Sequence, residues 1–312
     1  MLSIIVTTHN QRALVVGSVR SVVEQACEEP FEVIVVDDGS TDGTADAVRE
    51  TFGDQVTLIA KETAAGWPDS LRRGLTQAES DRIVVFDPHC EAPPGWLQTV
   101  SEHLTPETTI LSGRCGHRKT FMHKLASVSL HADFMSPDPC EMRMFFDDNS
   151  AFQREVLEGL LAEMVTGPAI GDAVGLVLMS DVMRRQGIAP THAPACLAWH
   201  YAPTYGAFLR LRWGETAECT MITRRLNRGL RGGWMLSAGP FAPFLFAGAR
   251  YVVEVVSSFK SRRNAGLRWF EMPAIWAAAW VATWVYLAGL IRCYFRYRHI
   301  RREVSPCDDV RA

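Results

Sequence analysis

The first hundred residues alternate between short apolar runs and longer stretches with helical spacing. The apolar runs are rich in β-branched residues, as is typical of strands buried on both faces of a sheet. The strand-like runs are residues 2–8, 31–36, 56–60 and 83–86. The helix-like stretches are residues 14–26, 44–52 and 70–79. This alternation predicts right-handed crossovers and an α/β fold with a mostly parallel central sheet flanked by helices.

Acidic residues follow two of the predicted strands. Asp37 and Asp38 come at the end of the second run, and Asp87 follows the fourth. Because such sheets bind ligands beyond the carboxyl ends of their strands, we expect these carboxylates to line one site. Turn capping ahead of Gly39 is the alternative role for Asp37 and also for Asp38. Cys90 and Glu91, just beyond the fourth run, are expected to be loop residues rather than metal ligands.

Two apolar segments occupy the C-terminal third. Residues 273–291 have no charged side chain over 19 positions, close to the ~20 that cross a bilayer. Residues 235–256 contain Arg250, Glu254 and two prolines, which favours a re-entrant or interfacial helix. A buried helix of a soluble protein is the alternative for residues 273–291.

Charge is distributed unevenly along the 312 residues, whose formal net charge is −3. Residues 1–209 hold 15 Lys and Arg against 28 Asp and Glu, whereas residues 210–312 hold 17 against 7. Because basic residues flank both apolar segments and favour the cytoplasmic side, residues 216–312 are predicted to be a basic, membrane-associated region. Interleaving with apolar segments, rather than with exposed aromatic residues, argues against nucleic acid as a partner.

The eight cysteines are scattered and have no Cys-x-x-Cys spacing. Met1 leads directly into an apolar run, without the basic region of a secretory signal. We therefore expect reduced thiols in a cytosolic compartment and no disulfides.

Two long strings of residues resemble the opening motifs of family 2 glycosyltransferases of the GT-A fold. They are SIIVTTHN at residues 3–10 and EVIVVDDGSTDGT at residues 32–44. Shorter similarities continue to about residue 215. The resemblance implies a nucleotide-diphospho-sugar transferase domain over residues 1–215, with a nucleotide-binding half at 1–100 and an acceptor half at 101–215.

The resemblance also implies how the donor is bound. Thr7, Asp37 and Asp38 would form the nucleoside pocket, and Asp38 would accept a hydrogen bond from the imide N–H of uracil. A UDP-sugar is therefore the expected donor. Arg72 and Arg73 both fall where the family carries an arginine beside the nucleotide, and the sequence does not choose between them.

A divalent cation is expected at the diphosphate, where the family carries an Asp-x-Asp motif. Here the motif reads Asp87-Pro88-His89, and by resemblance His200 adds a second imidazole. One carboxylate with two imidazoles suits Mn²⁺ better than Mg²⁺, because Mg²⁺ prefers oxygen ligands. In the alternatives, His89 binds phosphate directly or no metal is used.

Asp172 is the expected general base, since one carboxylate at the acceptor face can take the proton of the attacking hydroxyl. It precedes a buried helix predicted over residues 173–186, so an N-cap is its alternative role. The family usually carries Glu-Asp here, whereas this chain has Gly171 before Asp172. A lone carboxylate implies direct displacement with inversion, because a two-step route needs a covalent intermediate.

Three further residues are assigned to the acceptor and diphosphate. Asn149 is expected to shape the acceptor loop. Arg212 and Trp213 resemble a shortened arginine–tryptophan motif, which implies that they contact the diphosphate and a sugar ring. The alternative for this pair is a basic helix face that meets lipid headgroups.

Together these features predict an inverting glycosyltransferase of cell-envelope polysaccharide biosynthesis at the inner membrane, with its catalytic domain facing the cytoplasm. A lipid-linked or membrane-proximal glycan is the expected acceptor, because an anchored enzyme meets an anchored substrate at raised effective concentration. The alternative is a non-catalytic relative that binds nucleotide sugar or a partner transferase, since His89 and Gly171 depart from the family pattern.

Overall fold

A computed structural model describes residues 1–116, 120–129, 138, 142, 144–145, 148–167 and 169–298. These residues fall into two compact units. Unit 1 lies within Met1–His123 and His131–Ala202, and unit 2 within Lys124–Leu130 and Pro203–Ala312. The division by contacts falls after Ala202, whereas the domain boundary at residue 215 stays a prediction.

Unit 1 is built on an eight-stranded sheet in the part of the chain described. The strands are β1 (Leu2–Thr8), β2 (Phe31–Asp37), β3 (Thr57–Ala60), β4 (Arg82–Phe86), β5 (Cys90–Glu91), β6 (Ile110–Gly116), β7 (Asn149–Gln153) and β8 (Thr191–His200). Their order is β3-β2-β1-β4-β7-β6-β8-β5. Strands β1 to β4 are parallel, β7 is antiparallel to both β4 and β6, β6 is parallel to β8, and β5 is antiparallel to β8.

Helices cover both faces of this sheet. The α-helices of unit 1 in the described residues are α1 (Arg12–Val23), α2 (Thr44–Phe52), α3 (Trp67–Gln77), α4 (Trp96–His103), α6 (Arg154–Ala162) and α7 (Asp172–Arg185). Helix α5 (Phe121–Ser129) belongs mostly to unit 2. Successive β1 residues point to opposite faces, so Ile4 and Val6 join one apolar core while Ile5 joins the other. Burial on both faces explains why the strands read as continuous apolar runs. The predicted α/β class with a mostly parallel sheet is confirmed.

The predicted elements differ from the observed ones chiefly at their ends. Helix α3 begins at Trp67, three residues earlier than predicted, because Pro68 fits the first helical turn, where an N–H has no partner to lose. Cys90 and Glu91 form the short strand β5 and pair with β8, so the expectation that they are loop residues is wrong.

Unit 2 is helical. Its remaining helices are α8 (Tyr205–Trp213), α9 (Glu215–Leu226), α10 (Ala242–Lys260) and α11 (Met272–Arg296). The apolar segment 235–256 is divided between a 3₁₀ helix, Gly233–Phe241, and α10. Among the described residues, one helix, Trp269–Arg296, is long and apolar enough to cross a membrane by length and composition. Trp280 and Trp284 on this helix are exposed.

No disulfide joins the six cysteines among the described residues. They are Cys27, Cys90, Cys115, Cys196, Cys219 and Cys293. Cys140 and Cys307 lie outside the described residues.

Candidate active site

Asp38 is a buried carboxylate just beyond the carboxyl end of β2. Its backbone N–H donates to the Thr8 carbonyl at 2.8 Å, which ties it to the end of β1. The Lys61 ammonium pairs with its carboxylate, and the backbone N–H groups of Ala65 and Gly66 donate to its two oxygens at 2.9 Å each. Burial favours the neutral acid, but these contacts outweigh it and lower the pKa of Asp38. Three donors leave about one of its four acceptor positions for a base.

Asp37 serves the turn that follows β2. Its carboxylate accepts hydrogen bonds from the backbone N–H of Ser40, at 3.1 Å, and from the Ser40 hydroxyl. Gly39 adopts a φ of +67°, and a Cβ there would lie 2.6 Å from the Ala64 nitrogen, so only glycine allows this approach. Thr7 of β1 lies opposite Val36 of β2 and is half-buried at the same edge of the sheet.

The loop that holds Asp38 also packs against the segment leading to α7. Gly66 has a φ of +93°, and a Cβ there would lie 2.3 Å from the Gly167 carbonyl oxygen. The Trp67 N–H donates to the Ile170 carbonyl at 2.9 Å. Gly175 lets the ring of Trp67 approach the first turns of α7, since a Cβ would lie 2.5 Å from that ring. The start of α7 is thus positioned by the loop between β3 and α3, which also holds Asp38.

Asp87 and two histidines form a second group beyond the end of β4. The backbone N–H of His89 donates to Asp87 Oδ1 at 2.6 Å, and Nδ1 of His89 lies 2.7 Å from the same oxygen. The rings of His89 and His200 stack with centroids 5.9 Å apart and planes 9° apart. Burial favours the neutral acid, but His89 and then His200 hold the pKa of Asp87 below its usual value.

A third carboxylate, which the sequence did not single out, joins this group. Asp148 is buried, and its Oδ2 lies 3.7 Å from Nε2 of His200. In the described part of the chain, the three-residue group whose possible ligand atoms all lie within 4.8 Å of one another is Cys90, Cys115 and Asp148. The predicted metal set contacts this group through His200.

Asp172 is the first residue of α7. The charges of Asp87 and His89 act on its carboxylate. Burial and then the negative charge of Asp87 raise the pKa of Asp172. His89 and the backbone N–H groups of Asp172 and Ala173 lower that pKa and so offset part of the rise. A carboxylate with a raised pKa is a stronger proton acceptor, as a general base requires.

The comparison with known families decides what this arrangement belongs to. The family described as "Glycosyl transferase family 2" matches residues 3–161, about half of the chain. The chain belongs to glycosyl transferase family 2. The matched range includes the Asp38 pocket, Asp87 and Asp148, while Asp172 and His200 lie beyond it.

Curated relatives of this family 2 chain match its N-terminal part. A probable N-acetylgalactosaminyltransferase 9 of Caenorhabditis elegans is 32% identical over 35% of this chain and 20% of its own. A hyaluronan synthase of Pasteurella multocida is 32% identical over 36% of this chain and 12% of its own. A validoxylamine A glucosyltransferase of Streptomyces hygroscopicus subsp. jinggangensis is 33% identical over 32% of this chain and 24% of its own. The matches thus span a quarter or less of these relatives' lengths.

Among solved structures, a mannosyltransferase from Pyrobaculum calidifontis, in complex with GDP-Man and Mn²⁺, aligns with 96% of this chain and 86% of its own. The sequence identity is 20% and the TM-score 0.49. A mycobacterial protein aligns with 70% of this chain and 73% of its own, at 19% identity and a TM-score of 0.45.

The two arginines proposed to lie beside the nucleotide differ in their contacts. Nη2 of Arg72 donates to the carbonyls of Leu161 and Met164, the latter at 2.7 Å, and so holds the end of α6. Arg73 pairs with Asp69 at 3.0 Å on the surface of α3. The guanidinium of Arg73 is the more exposed of the two, so Arg73 is better placed to reach a ligand.

Asn149 is buried among three strands and a helix. It accepts a hydrogen bond from Nε1 of Trp96 at 2.9 Å and donates to the Cys196 carbonyl at 2.7 Å. A Cβ at Gly113 would lie 2.3 Å from Nδ2 of Asn149, which shows how closely β6 and β7 approach there. These contacts give Asn149 a structural role, and its predicted contribution to the acceptor loop would be made through the backbone it holds.

Arg212 and Trp213 belong to unit 2 and are at the end of α8. Arg212 is buried, pairs with Glu254 of α10 and lies over the ring of Phe208. Trp213 is exposed, and Arg292 lies 5.0 Å from the centre of its ring. The contacts of the Arg212 guanidinium are therefore internal to unit 2, which removes it from the diphosphate-binding residues we propose below.

Lys61, Asp148 and Cys115 were missed by the sequence interpretation. Lys61 directly follows β3, at the same edge of the sheet as Asp38, so its position was a usable signal. Asp148 immediately precedes Asn149, which was expected to shape the acceptor loop. Cys115 carried no signal, because its proximity to Cys90 depends on how distant strands pair.

Proposed function

We propose that this family 2 member is an inverting glycosyltransferase that moves a sugar from a UDP-sugar to a lipid-linked or membrane-proximal glycan. The observation that carries the proposal is Asp172, a carboxylate at the start of α7 whose pKa is raised beside Asp87. The reaction class follows from the family. The donor, the acceptor and the stereochemistry are our inferences.

In this mechanism the acceptor hydroxyl attacks the anomeric carbon while the bond from that carbon to the diphosphate oxygen breaks. The hydroxyl proton passes to Asp172, and the leaving UDP carries the electron pair of the broken bond. One displacement inverts the configuration. The position of Asp172 on a helix held by Trp67 and Gly175 keeps the base at a fixed place relative to the donor pocket.

Donor binding is assigned to the rim made by β1 and β2. Asp38 is held by Lys61 and two backbone amides. Its remaining acceptor position would accept a hydrogen bond from the imide N–H of uracil. Thr7 and Asp37 would contact the nucleoside from the same edge, Asp37 through the turn it holds at Ser40. Arg73 is the arginine we place near the nucleotide.

A divalent cation fits the donor set of Asp87, His89 and His200, with Asp148 adjoining His200. Carboxylates together with imidazoles suit Mn²⁺ better than Mg²⁺. When bound, the cation would neutralise charge on the leaving diphosphate. Nδ1 of His200 lies 2.7 Å from the Tyr201 carbonyl, which can only accept, so Nδ1 carries a proton. Nε2, which lies 3.7 Å from Oδ2 of Asp148, is the ring nitrogen of His200 that would bind the cation.

Membrane association is the reason for the acceptor class. Helix Trp269–Arg296 has the length and composition of a membrane span and carries exposed Trp280 and Trp284. Basic residues flank it in the sequence, and by the positive-inside tendency we place unit 1 on the cytoplasmic side of the inner membrane. Arg301 and Arg302 in the last basic cluster lie outside the described residues.

The test compares wild type with Asp172→Asn in UDP release from a panel of UDP-sugars, with a lipid extract as acceptor. Loss of the general base should lower turnover by about 10²–10⁴-fold while donor affinity stays the same. Asp46→Asn, an exposed acid on α2, is the matched control and should behave as wild type.

Turnover that is unchanged in Asp172→Asn contradicts the assignment of the base. A wild-type protein that binds a UDP-sugar but releases no UDP with or without Mn²⁺ supports the non-catalytic alternative, which the departures at His89 and Gly171 favour.

A further inference from the structure

Two buried thiols and one buried carboxylate lie close together in unit 1. None of the three is among the residues that we assign to binding the sugar-nucleotide donor. Cys90 is 0% exposed, Cys115 2% and Asp148 4%. Sγ of Cys115 donates to Oδ2 of Asp148 at 3.6 Å, and the possible ligand atoms of all three lie within 4.8 Å of one another. Three converging side chains of these types are a metal-ligand set rather than an ordinary apolar contact.

The sheet order argues against a disulfide between these cysteines. β5, which carries Cys90, and β6, which carries Cys115, flank β8 on opposite sides. Two strand spacings amount to about 9.5 Å, whereas disulfide-bonded residues have Cα atoms less than about 7 Å apart.

A metal ion can bridge this separation. A zinc–sulfur bond is about 2.3 Å long, so two such bonds span up to about 4.6 Å between sulfur atoms. The possible ligand atoms of Cys90, Cys115 and Asp148 all lie within 4.8 Å of one another, so the two sulfur atoms are close enough to share one ion.

The ligand chemistry selects the class of ion. Two sulfur ligands favour soft or borderline ions such as Zn²⁺ and Cd²⁺ over Mn²⁺ and Mg²⁺. We propose that Cys90, Cys115 and Asp148 form a binding site for one thiophilic divalent ion. On binding, each thiol loses its proton to solvent, and the resulting thiolates, with Asp148, compensate the charge of the ion. The cation site proposed above has other ligands, Asp87, His89 and His200, although Nε2 of His200 lies 3.7 Å from Oδ2 of Asp148.

Cadmium is the probe that tests this proposal, because its thiolate bonds give a charge-transfer absorption in the ultraviolet. The full chain, reduced, extracted in detergent and treated with a chelator that is then removed, is titrated with Cd²⁺. The expected result is an absorption increase that ends at one equivalent per chain. Cys90→Ser and Cys115→Ser should each lose this increase, and Asp148→Asn should retain it with an affinity at least 10-fold weaker.

Cys196→Ser is the matched control, because Cys196 is a buried free thiol of unit 1 outside the group. It should titrate as wild type. An increase that survives in Cys90→Ser or Cys115→Ser, or that disappears in Cys196→Ser, overturns the proposal. Asp148→Asn keeps both thiols and a similar volume, so unchanged Cd²⁺ affinity in that variant removes Asp148 from the site even where a cysteine variant fails to fold. No donor or transfer is measured, so the proposed function can fail while this site stands, and the reverse.

Discussion

Unit 1 neutralises its buried carboxylates in two different ways. Asp38 is paired with the ammonium of Lys61, whose side chain is 3% exposed. Asp87 and Asp148 instead contact His89, His200 and Cys115, side chains whose charge changes with protonation or with a bound ion. A lysine partner fixes the carboxylate in place, whereas imidazole and thiol partners can be exchanged for a cation. The difference separates the region that we propose for the nucleotide from the region that we propose for its diphosphate.

Removing the ammonium of Lys61 should produce the largest effect on stability. Lys61→Met leaves the Asp38 carboxylate buried without its ammonium, and breaking a buried pair from one side costs about 3–5 kcal/mol. We expect a loss of this size in the free energy of unfolding, measured by urea denaturation. The reason is desolvation of the remaining carboxylate, which the N–H groups of Ala65 and Gly66 only partly offset.

The double variant Lys61→Met with Asp38→Asn sharpens this test, because it leaves no buried charge and should recover part of the loss. Arg73→Gln is the control, since it removes a cation from the exposed pair with Asp69 and should cost well below 1 kcal/mol. A Lys61→Met protein as stable as wild type would show that Asp38 is not held in the way described.

Changing Asp87, which contacts a histidine rather than a lysine, should affect catalysis and not stability. Asp87→Asn removes the carboxylate proposed to hold the cation, and we expect kcat/KM to fall by about 10²–10³-fold, the typical effect of losing one electrostatic contact to developing charge. Stimulation by Mn²⁺ should disappear in the same variant. Steady-state UDP release with and without Mn²⁺ measures both.

Asp81→Asn is the matched control, because Asp81 directly precedes the opposite end of β4 and its side chain is 93% exposed. It should keep wild-type kinetics. Equal Mn²⁺ stimulation in Asp87→Asn and wild type would place the cation elsewhere.

The same contrast explains what could be predicted from the sequence. Asp37, Asp38 and Asp87 directly follow or end apolar runs, so a parallel sheet brings them to one edge whatever the rest of the chain does. The fold class depends on the same local periodicity and was confirmed. Cys115 and Asp148 come near Cys90 only through the order β7-β6-β8-β5, in which parallel and antiparallel pairings mix, and no local pattern encodes that order.

Side-chain roles were harder to predict than positions. Arg212 was assigned to the diphosphate from a four-residue resemblance, yet its guanidinium lies buried against Glu254. Asp37 has the turn contacts that were its alternative role. The partner of Arg212 is many residues away, and the partner of Asp37 lies in the adjacent turn. A sequence motif does not indicate which partner a side chain contacts.

Replacing Asn149 should have a moderate effect on stability. The variant distinguishes a structural role of this residue from a role in acceptor binding. Asn149→Ala leaves Nε1 of Trp96 and the Cys196 carbonyl without their buried partner, which should cost about 1–3 kcal/mol of stability. In the folded fraction, KM for the acceptor should stay unchanged. Thermal unfolding and acceptor titration together separate the roles, and a raised KM at unchanged stability would restore the direct acceptor contact. Gln77→Ala, at an exposed position of α3, is the control.

The smallest effect concerns an acid outside both groups. Glu29 accepts hydrogen bonds from the Ser101 hydroxyl, the N-terminal amine and Arg82, which lower its pKa to about 2 from 4.5. Because its folded pKa lies below its unfolded value, the stability it contributes is present above pH 4.5 and is lost as the pH falls toward 2. Its side chain is 38% exposed, so solvent screening limits the contribution to less than about 1 kcal/mol. Glu29→Gln should therefore unfold at lower urea than wild type at pH 7, with a gap that narrows at pH 3. The exposed Glu50→Gln should show no gap at either pH, and a Glu29→Gln gap of equal size at both would mean that charge on Glu29 is not its cause.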